Sequence, residues 1–175
     1  MRTSNKLIAF LFFVCIGCAD NKLSKEEAAG IIKKEYPRVV DTYIYAGDPK
    51  YAVMLHEAGL DREGYVTIKK TKKFGDTTGW VSFTEKSNPY FLETSEQDKK
   101  DKVQKIKAAT EDVSEIISIE PGDGGNTAVV TFQTRFTEIT PFGKVIKLKA
   151  DKVQTLKAYF IRNDNGWRWE KRLSK

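Results

Sequence analysis

Apolar residues recur at helical spacing in two segments near the N-terminus. The first covers residues 24–36 and begins with a Ser-x-x-Glu capping box. The second begins at Pro49, where a missing N–H costs nothing, and stops before Gly59. Between them, residues 38–45 are rich in β-branched and aromatic side chains. The pattern therefore predicts helix, strand, helix.

Alternation of apolar and polar residues predicts strands in the rest of the chain. The predicted strands cover residues 65–71, 79–84, 103–109, 113–119, 127–137 and 144–150, and a final hairpin turns at Asn163–Gly166. Pairing across that turn places the following apolar residues on one face: Leu156, Ala158, Phe160, Trp167, Trp169 and Leu173. A slip of one residue would expose both tryptophans, so the register is well specified.

A charged segment divides these elements. Residues 93–102 carry seven charged side chains in ten positions, which is typical of a linker or of a solvated helical turn. The predicted fold is α+β, with a mixed α/β lobe over residues 23–92. A mainly antiparallel sheet lobe follows over residues 103–175.

Each lobe resembles a known fold. The order helix, strand, helix, hairpin, with EAGL before the turn and WVSFTEKSNPYF after it, resembles a winged-helix domain without the helix that would read DNA. The sheet that closes on NDNGWRWEK, with a helix at the front, is similar to nuclear transport factor 2-like and cystatin-like folds. Many small envelope lipoproteins of Bacteroidota look like this. The alternative fold is therefore one nuclear transport factor 2-like domain.

The first twenty residues have the layout of a secretory signal. Arg2 and Lys6 precede an uncharged run of eleven residues, 7–17, which is too short to span a bilayer. Gly17 directly before Cys18 resembles the signal peptide of bacterial lipoproteins, which is cleaved before a cysteine that becomes lipidated. The other interpretation is an ordinary signal, cut after a small residue.

The lipoprotein resemblance implies a signal peptide over residues 1–17 and a lipidated tether over residues 18–22. Three acyl chains on Cys18 would anchor the chain firmly, since two chains already hold stably. Ala19 after the lipidated cysteine favours the outer membrane of the bacterial cell envelope under the sorting rule of such lipoproteins. Whether the domain faces the periplasm or the outside stays open.

Charge and cysteine content narrow the function. The formal charge falls from +6 to +4 when Arg2 and Lys6 leave with the signal, a mild and well-mixed excess that argues against nucleic acid as a partner. Cys15 also leaves, and Cys18 would be acylated. The mature chain would then have no thiol for a disulfide, a nucleophile or a metal site.

The sequence predicts no catalytic residue, metal site or cofactor. His56 is the only histidine, and helical spacing places it on the solvent face. A lone histidine supplies neither a multi-histidine metal site nor a complete nucleophilic set. Glycine-rich phosphate loops and Gly-x-Ser-x-Gly elbows are missing. A hydrolase built from distant carboxylates is the least favoured hypothesis.

Two groups of residues are candidates for binding. The lysines of the first hairpin are either a solvated edge or a contact for anionic lipid headgroups or acidic glycans. They are Lys69, Lys70, Lys72 and Lys73. Trp167 and Trp169 are either core or the wall of a groove for sugars or apolar ligands.

These observations predict a non-enzymatic, membrane-anchored envelope lipoprotein that acts as an interaction or scaffold module. Its partners would be the membrane, through the lipid on Cys18, and an envelope protein or an anionic glycan or lipid. The alternative is a small-ligand-binding lipoprotein with a pocket between the terminal sheet and a helix.

Replacing Cys18 with Ser tests the anchor. We expect this variant to leave the membrane fraction and to lack the acyl chains, because the hydroxyl is not the acceptor that lipoproteins use. Fractionation and gel mobility of the wild type and the variant provide the measurement. A variant that stays membrane-bound with unchanged mobility would show that Cys18 is not lipidated.

Overall fold

The computed structural model describes residues 22–171, and Cys18 and the predicted signal peptide lie outside them. The α-helices are α1 (Lys25–Ile32), α2 (Pro49–Glu57) and α3 (Glu96–Lys100). The strands are β1 (Arg38–Tyr45), β2 (Val66–Ile68), β3 (Val81–Phe83), β4 (Val103–Pro121), β5 (Thr127–Ile139), β6 (Val153–Asn163) and β7 (Gly166–Glu170). Short 3₁₀ helices cover Lys33–Glu35, Glu85–Tyr90, Asp123–Gly125 and Pro141–Lys144.

The α+β prediction is confirmed. Five strands form one antiparallel sheet in the order β1-β4-β5-β6-β7, and β2 pairs with β3 in a separate small hairpin. β1 belongs to the predicted N-terminal lobe, yet it pairs with β4 from Arg38↔Glu111 to Tyr45↔Val103. The two predicted lobes therefore share one sheet.

Local sequence signals give the N-terminal ends of α1 and α2 correctly. The Ser24 hydroxyl accepts a hydrogen bond from the Glu27 N–H at 3.1 Å, and the Asp48 carboxylate accepts one from the Lys50 N–H at 2.8 Å. The charged segment 93–102 contains the short helix α3, which was one of its two predicted forms. Both caps satisfy N–H groups that have no partner inside the helix.

The predicted break at residues 110–112 and the predicted strand at residues 144–150 are wrong. The strands predicted at 103–109 and 113–119 are parts of one 19-residue strand, β4. Its pairing with β5 continues through the polar residues 110–112, with three register shifts along the strand. Residues 144–150 form no strand. A 3₁₀ helix and turns occupy this part of the chain, and Lys147 has a φ of 56°, which extended pairing does not allow.

The sheet and its helices enclose two apolar clusters. One joins α2 and the small hairpin to the main sheet, with Leu55, Ile106 and Phe142 fully buried. The other packs α1 against β5 and β6. The predicted face of the last hairpin is confirmed for its described residues, since Trp169 packs edge-to-face on Phe132 with ring centroids 6.1 Å apart.

One carboxylate is buried in the main sheet. Glu111 on β4 is 1% exposed and pairs with Arg38 of β1, Nε to Oε2, at 2.5 Å. The Thr134 hydroxyl of β5 donates to the other oxygen. Both carboxylate oxygens therefore have partners, and the ion pair together with the Thr134 hydrogen bond links three adjacent strands.

Among the described residues, none of the helices has the length and apolar character needed to cross a bilayer.

Candidate functional site

The small hairpin is fixed to the end of β1 by one carbonyl group. The carbonyl oxygen of Ala46 accepts hydrogen bonds from the backbone N–H groups of Trp80, at 2.7 Å, and Val81, at 3.1 Å. Gly79 makes this approach possible, because a Cβ there would lie 2.8 Å from the same oxygen. Val66 and Val81 of the hairpin are buried in the cluster beneath.

A pocket of about 410 Å³ opens between α2 and this hairpin, and we call it the α2 pocket. Its lining residues are Pro49, Ala52, Val53, His56, Asp61, Ile68, Lys69, Lys70 and Trp80. The alternative prediction of a ligand pocket placed it beside the terminal sheet. The α2 pocket uses the small hairpin as one wall and α2 as the other.

His56 and Asp61 form a pair at the rim of the α2 pocket. The His56 Nδ1 lies 2.7 Å from the Asp61 Oδ2, while the histidine side chain is 61% exposed, as its helical position predicts. The hydrogen bond with His56 is the largest cause that lowers the pKa of Asp61, and the Arg62 N–H adds to it. The carboxylate therefore holds the imidazole in one orientation.

The four predicted lysines lie at the start of the segment between β2 and β3, residues 69–80, which we call the lysine loop. Lys69 Nζ contacts the Asp76 carboxylate at 3.0 Å and the Thr78 hydroxyl. Lys72 Nζ donates to the Thr78 carbonyl at 2.5 Å and lies 5.4 Å from the centre of the Trp80 ring. Both side chains brace the loop.

Lys70 and Lys73 have a different environment. Both are exposed, and neither side chain makes a hydrogen bond or ion pair within residues 22–171. Lys70 lines the α2 pocket. Lys70 and Lys73 are therefore the two of the four predicted lysines whose ammonium groups have no partner within the described residues.

Trp167 and Trp169 do not line the α2 pocket. Both are partly buried against the cluster between α1 and the sheet. Trp167 also lines a small cavity of about 200 Å³ with Leu23 and Ile119. The structure therefore does not bring the predicted lysines and tryptophans into one site.

Trp80 and Asp61 were not among the predicted site residues. Asp61 follows α2 by only a few residues, so a carboxylate five positions after His56 was a usable signal for the pair. Trp80 had no such signal, because its place in the pocket depends on the docking of the hairpin at Ala46. No cluster of three or more potential metal-ligating side chains occurs within residues 22–171.

Comparison of the chain with protein-family models, curated proteins and solved structures finds no significant match.

Gly79→Ala tests the docking of the hairpin. We expect a loss of about 1–3 kcal/mol in unfolding free energy, because the new methyl group meets a backbone oxygen that cannot rotate away. Urea unfolding of both proteins is the measurement. Gly30→Ala on α1 is the control, since nothing lies within 4 Å of its Cβ, and it should stabilise by about 0.5–1 kcal/mol. Equal effects of the two substitutions would contradict the docking contact.

Proposed function

We propose that this chain is a non-enzymatic, membrane-anchored binding module of the bacterial envelope, and that the α2 pocket takes a small amphipathic anion. The observation that carries the proposal is an open apolar pocket whose rim holds a cation that makes no internal ion pair. Pockets with apolar walls and a few polar groups are the usual sites for small ligands.

The apolar wall defines the body of the ligand. Val53 on α2 is 57% exposed although it is a large aliphatic residue, and Ile68 and Trp80 face the same pocket from the hairpin. A ring or short chain between these elements would remove apolar surface from water, which contributes about 25 cal/mol per Å². The body of the ligand is therefore apolar or aromatic.

The rim defines the polar group of the ligand. Lys70 offers an ammonium group, and His56 offers its second ring nitrogen while Asp61 holds the first. Asp61 Oδ2 is engaged by the imidazole, and Lys70 is the cation of the rim that makes no ion pair within the described residues. A carboxylate, sulfonate or phosphate on the ligand fits this charge.

The same geometry favours binding over catalysis. An Asp–His pair orients a base, but nucleophilic catalysis also needs a hydroxyl or thiol within reach of the imidazole. Within the described residues, His56 has no hydrogen bond other than that with Asp61. This geometry favours a binding role for the pair over nucleophilic catalysis.

The N-terminal sequence supports the envelope location and the anchor at Cys18, with the outer membrane favoured. For the fold, we propose the single-domain alternative, similar to nuclear transport factor 2-like proteins, in preference to a separate winged-helix lobe. The pairing of β1 with β4 supports this choice, because it joins the N-terminal elements to the sheet.

The dye 8-anilinonaphthalene-1-sulfonate is a suitable probe, because it combines an aromatic body with a sulfonate. We expect saturable binding at one site, measured by dye fluorescence, and competition by decanoate. Val53→Trp should fill the α2 pocket and weaken binding by about tenfold or more, a change of roughly 1.4 kcal/mol. Lys70→Ala should weaken it by about fivefold, which corresponds to one partly exposed ion pair.

Val39→Trp is the matched control, since Val39 is 51% exposed and lies on β1 away from the pocket. It should leave the dye affinity unchanged. Equal dye binding by the Val53 and Val39 variants, or no saturable binding by the wild type, would contradict the proposed pocket. An unchanged affinity of the Lys70 variant would contradict the preference for an anion.

A further inference from the structure

Phe74 lies at the tip of the lysine loop and is fully exposed. No other large apolar side chain of the described residues reaches this exposure, the next being Val53 at 57%. An aromatic ring with no contact in its own chain gains nothing from folding. An exposed aromatic side chain of this kind is typical of a residue that contacts another molecule.

The charge around Phe74 is positive. Lys73 precedes it directly, and Lys70 lies four residues before Phe74, both without an ion pair in the described part of the chain. The one carboxylate of the loop, Asp76, is neutralised internally. Hydrogen bonds from the Thr78 hydroxyl and N–H, together with Lys69, hold the pKa of Asp76 far below its usual range.

The lysine loop is braced although its tip is exposed. Lys72 donates to the Thr78 carbonyl, and Lys102, at the start of β4, donates to the Thr77 carbonyl. The backbone of the loop is closed by the Lys69 N–H, which donates to the Trp80 carbonyl at 2.9 Å. Binding through the tip would therefore cost little additional ordering of the chain.

We propose that the tip of the lysine loop docks on an anionic phospholipid bilayer, with Phe74 in the interfacial region and Lys70 and Lys73 at the headgroups. Aromatic side chains favour the boundary between headgroups and acyl chains, and lysines close to an anionic surface add attraction. A single ring on a convex tip suits a fluid apolar layer, whereas a protein partner would need a matching cavity. An acidic glycan would satisfy the lysines but leave the ring in water.

The test compares two adjacent pairs of residues in the full chain carrying Cys18→Ser, so that acyl chains do not dominate binding. Lys73→Glu/Phe74→Ser changes the tip and leaves Lys70 and the α2 pocket intact. Lys152→Glu/Val153→Ser is the matched control, because both residues are exposed and Val153 is a 51% exposed apolar residue. Sedimentation with phosphatidylglycerol–phosphatidylcholine vesicles, and with phosphatidylcholine alone, measures binding.

We expect the tip variant to lose about tenfold or more in partitioning to the anionic vesicles, while the control pair matches the parent. Binding by the parent should fall in about 1 M salt, where the screening length is near 3 Å. Both pairs should unfold at the same urea concentration as the parent. Equal partitioning of the two pairs, or binding that is insensitive to salt, would overturn the proposal.

Phe74→Trp supplies a second readout. We expect the added indole emission to shift to the blue on anionic vesicles and to be quenched by brominated acyl chains. An unshifted indole, or binding to a soluble acidic polysaccharide that equals binding to the vesicles, would show that the tip recognises charge alone. Dye binding in the α2 pocket should survive Lys73→Glu/Phe74→Ser, so failure of this proposal is distinguishable from failure of the pocket.

Discussion

The carbonyl of Ala46 is the contact on which the candidate site depends. It accepts two N–H groups from the small hairpin, and it lies directly after β1, at the end of the five-stranded sheet. Because β2 and β3 pair over only three residues each, the hairpin would be marginal alone. Its attachment to Ala46, and the burial of Val66 and Val81, fix one wall of the α2 pocket and the base of the lysine loop.

Short-range signals predicted much of the fold. The Ser24 and Asp48 caps and the Asn163–Gly166 turn depend on residues a few positions apart, and the structure places them as predicted. The continuity of β4 depends on register shifts against β5, which no local pattern specifies. The candidate site depends on even longer contacts, since the approach of Gly79 to Ala46 joins segments that the sequence pattern treats as independent.

The two proposed binding features lie at one end of the molecule. Contacts with Lys102 and Ala46 place the lysine loop near the start of β4. The first described residues, Lys22 and Leu23, line a cavity with Pro121, which is the last residue of β4. The 19 residues of β4 span up to about 60 Å, and the register shifts shorten this. For a chain anchored through Cys18, the tip of the loop therefore reaches the anchoring bilayer only when β4 lies along the membrane.

Hydrogen exchange of the Trp80 and Val81 amides tests the central claim, that the hairpin is fixed to the sheet through Ala46. We predict that these two amides exchange as slowly as the paired amides of β1 and β4, because a hairpin fixed to the sheet detaches only when the sheet itself opens. Rates near those of an unstructured peptide at Trp80 and Val81, with β1 and β4 still protected, would contradict the claim. The pocket would then lack a fixed wall.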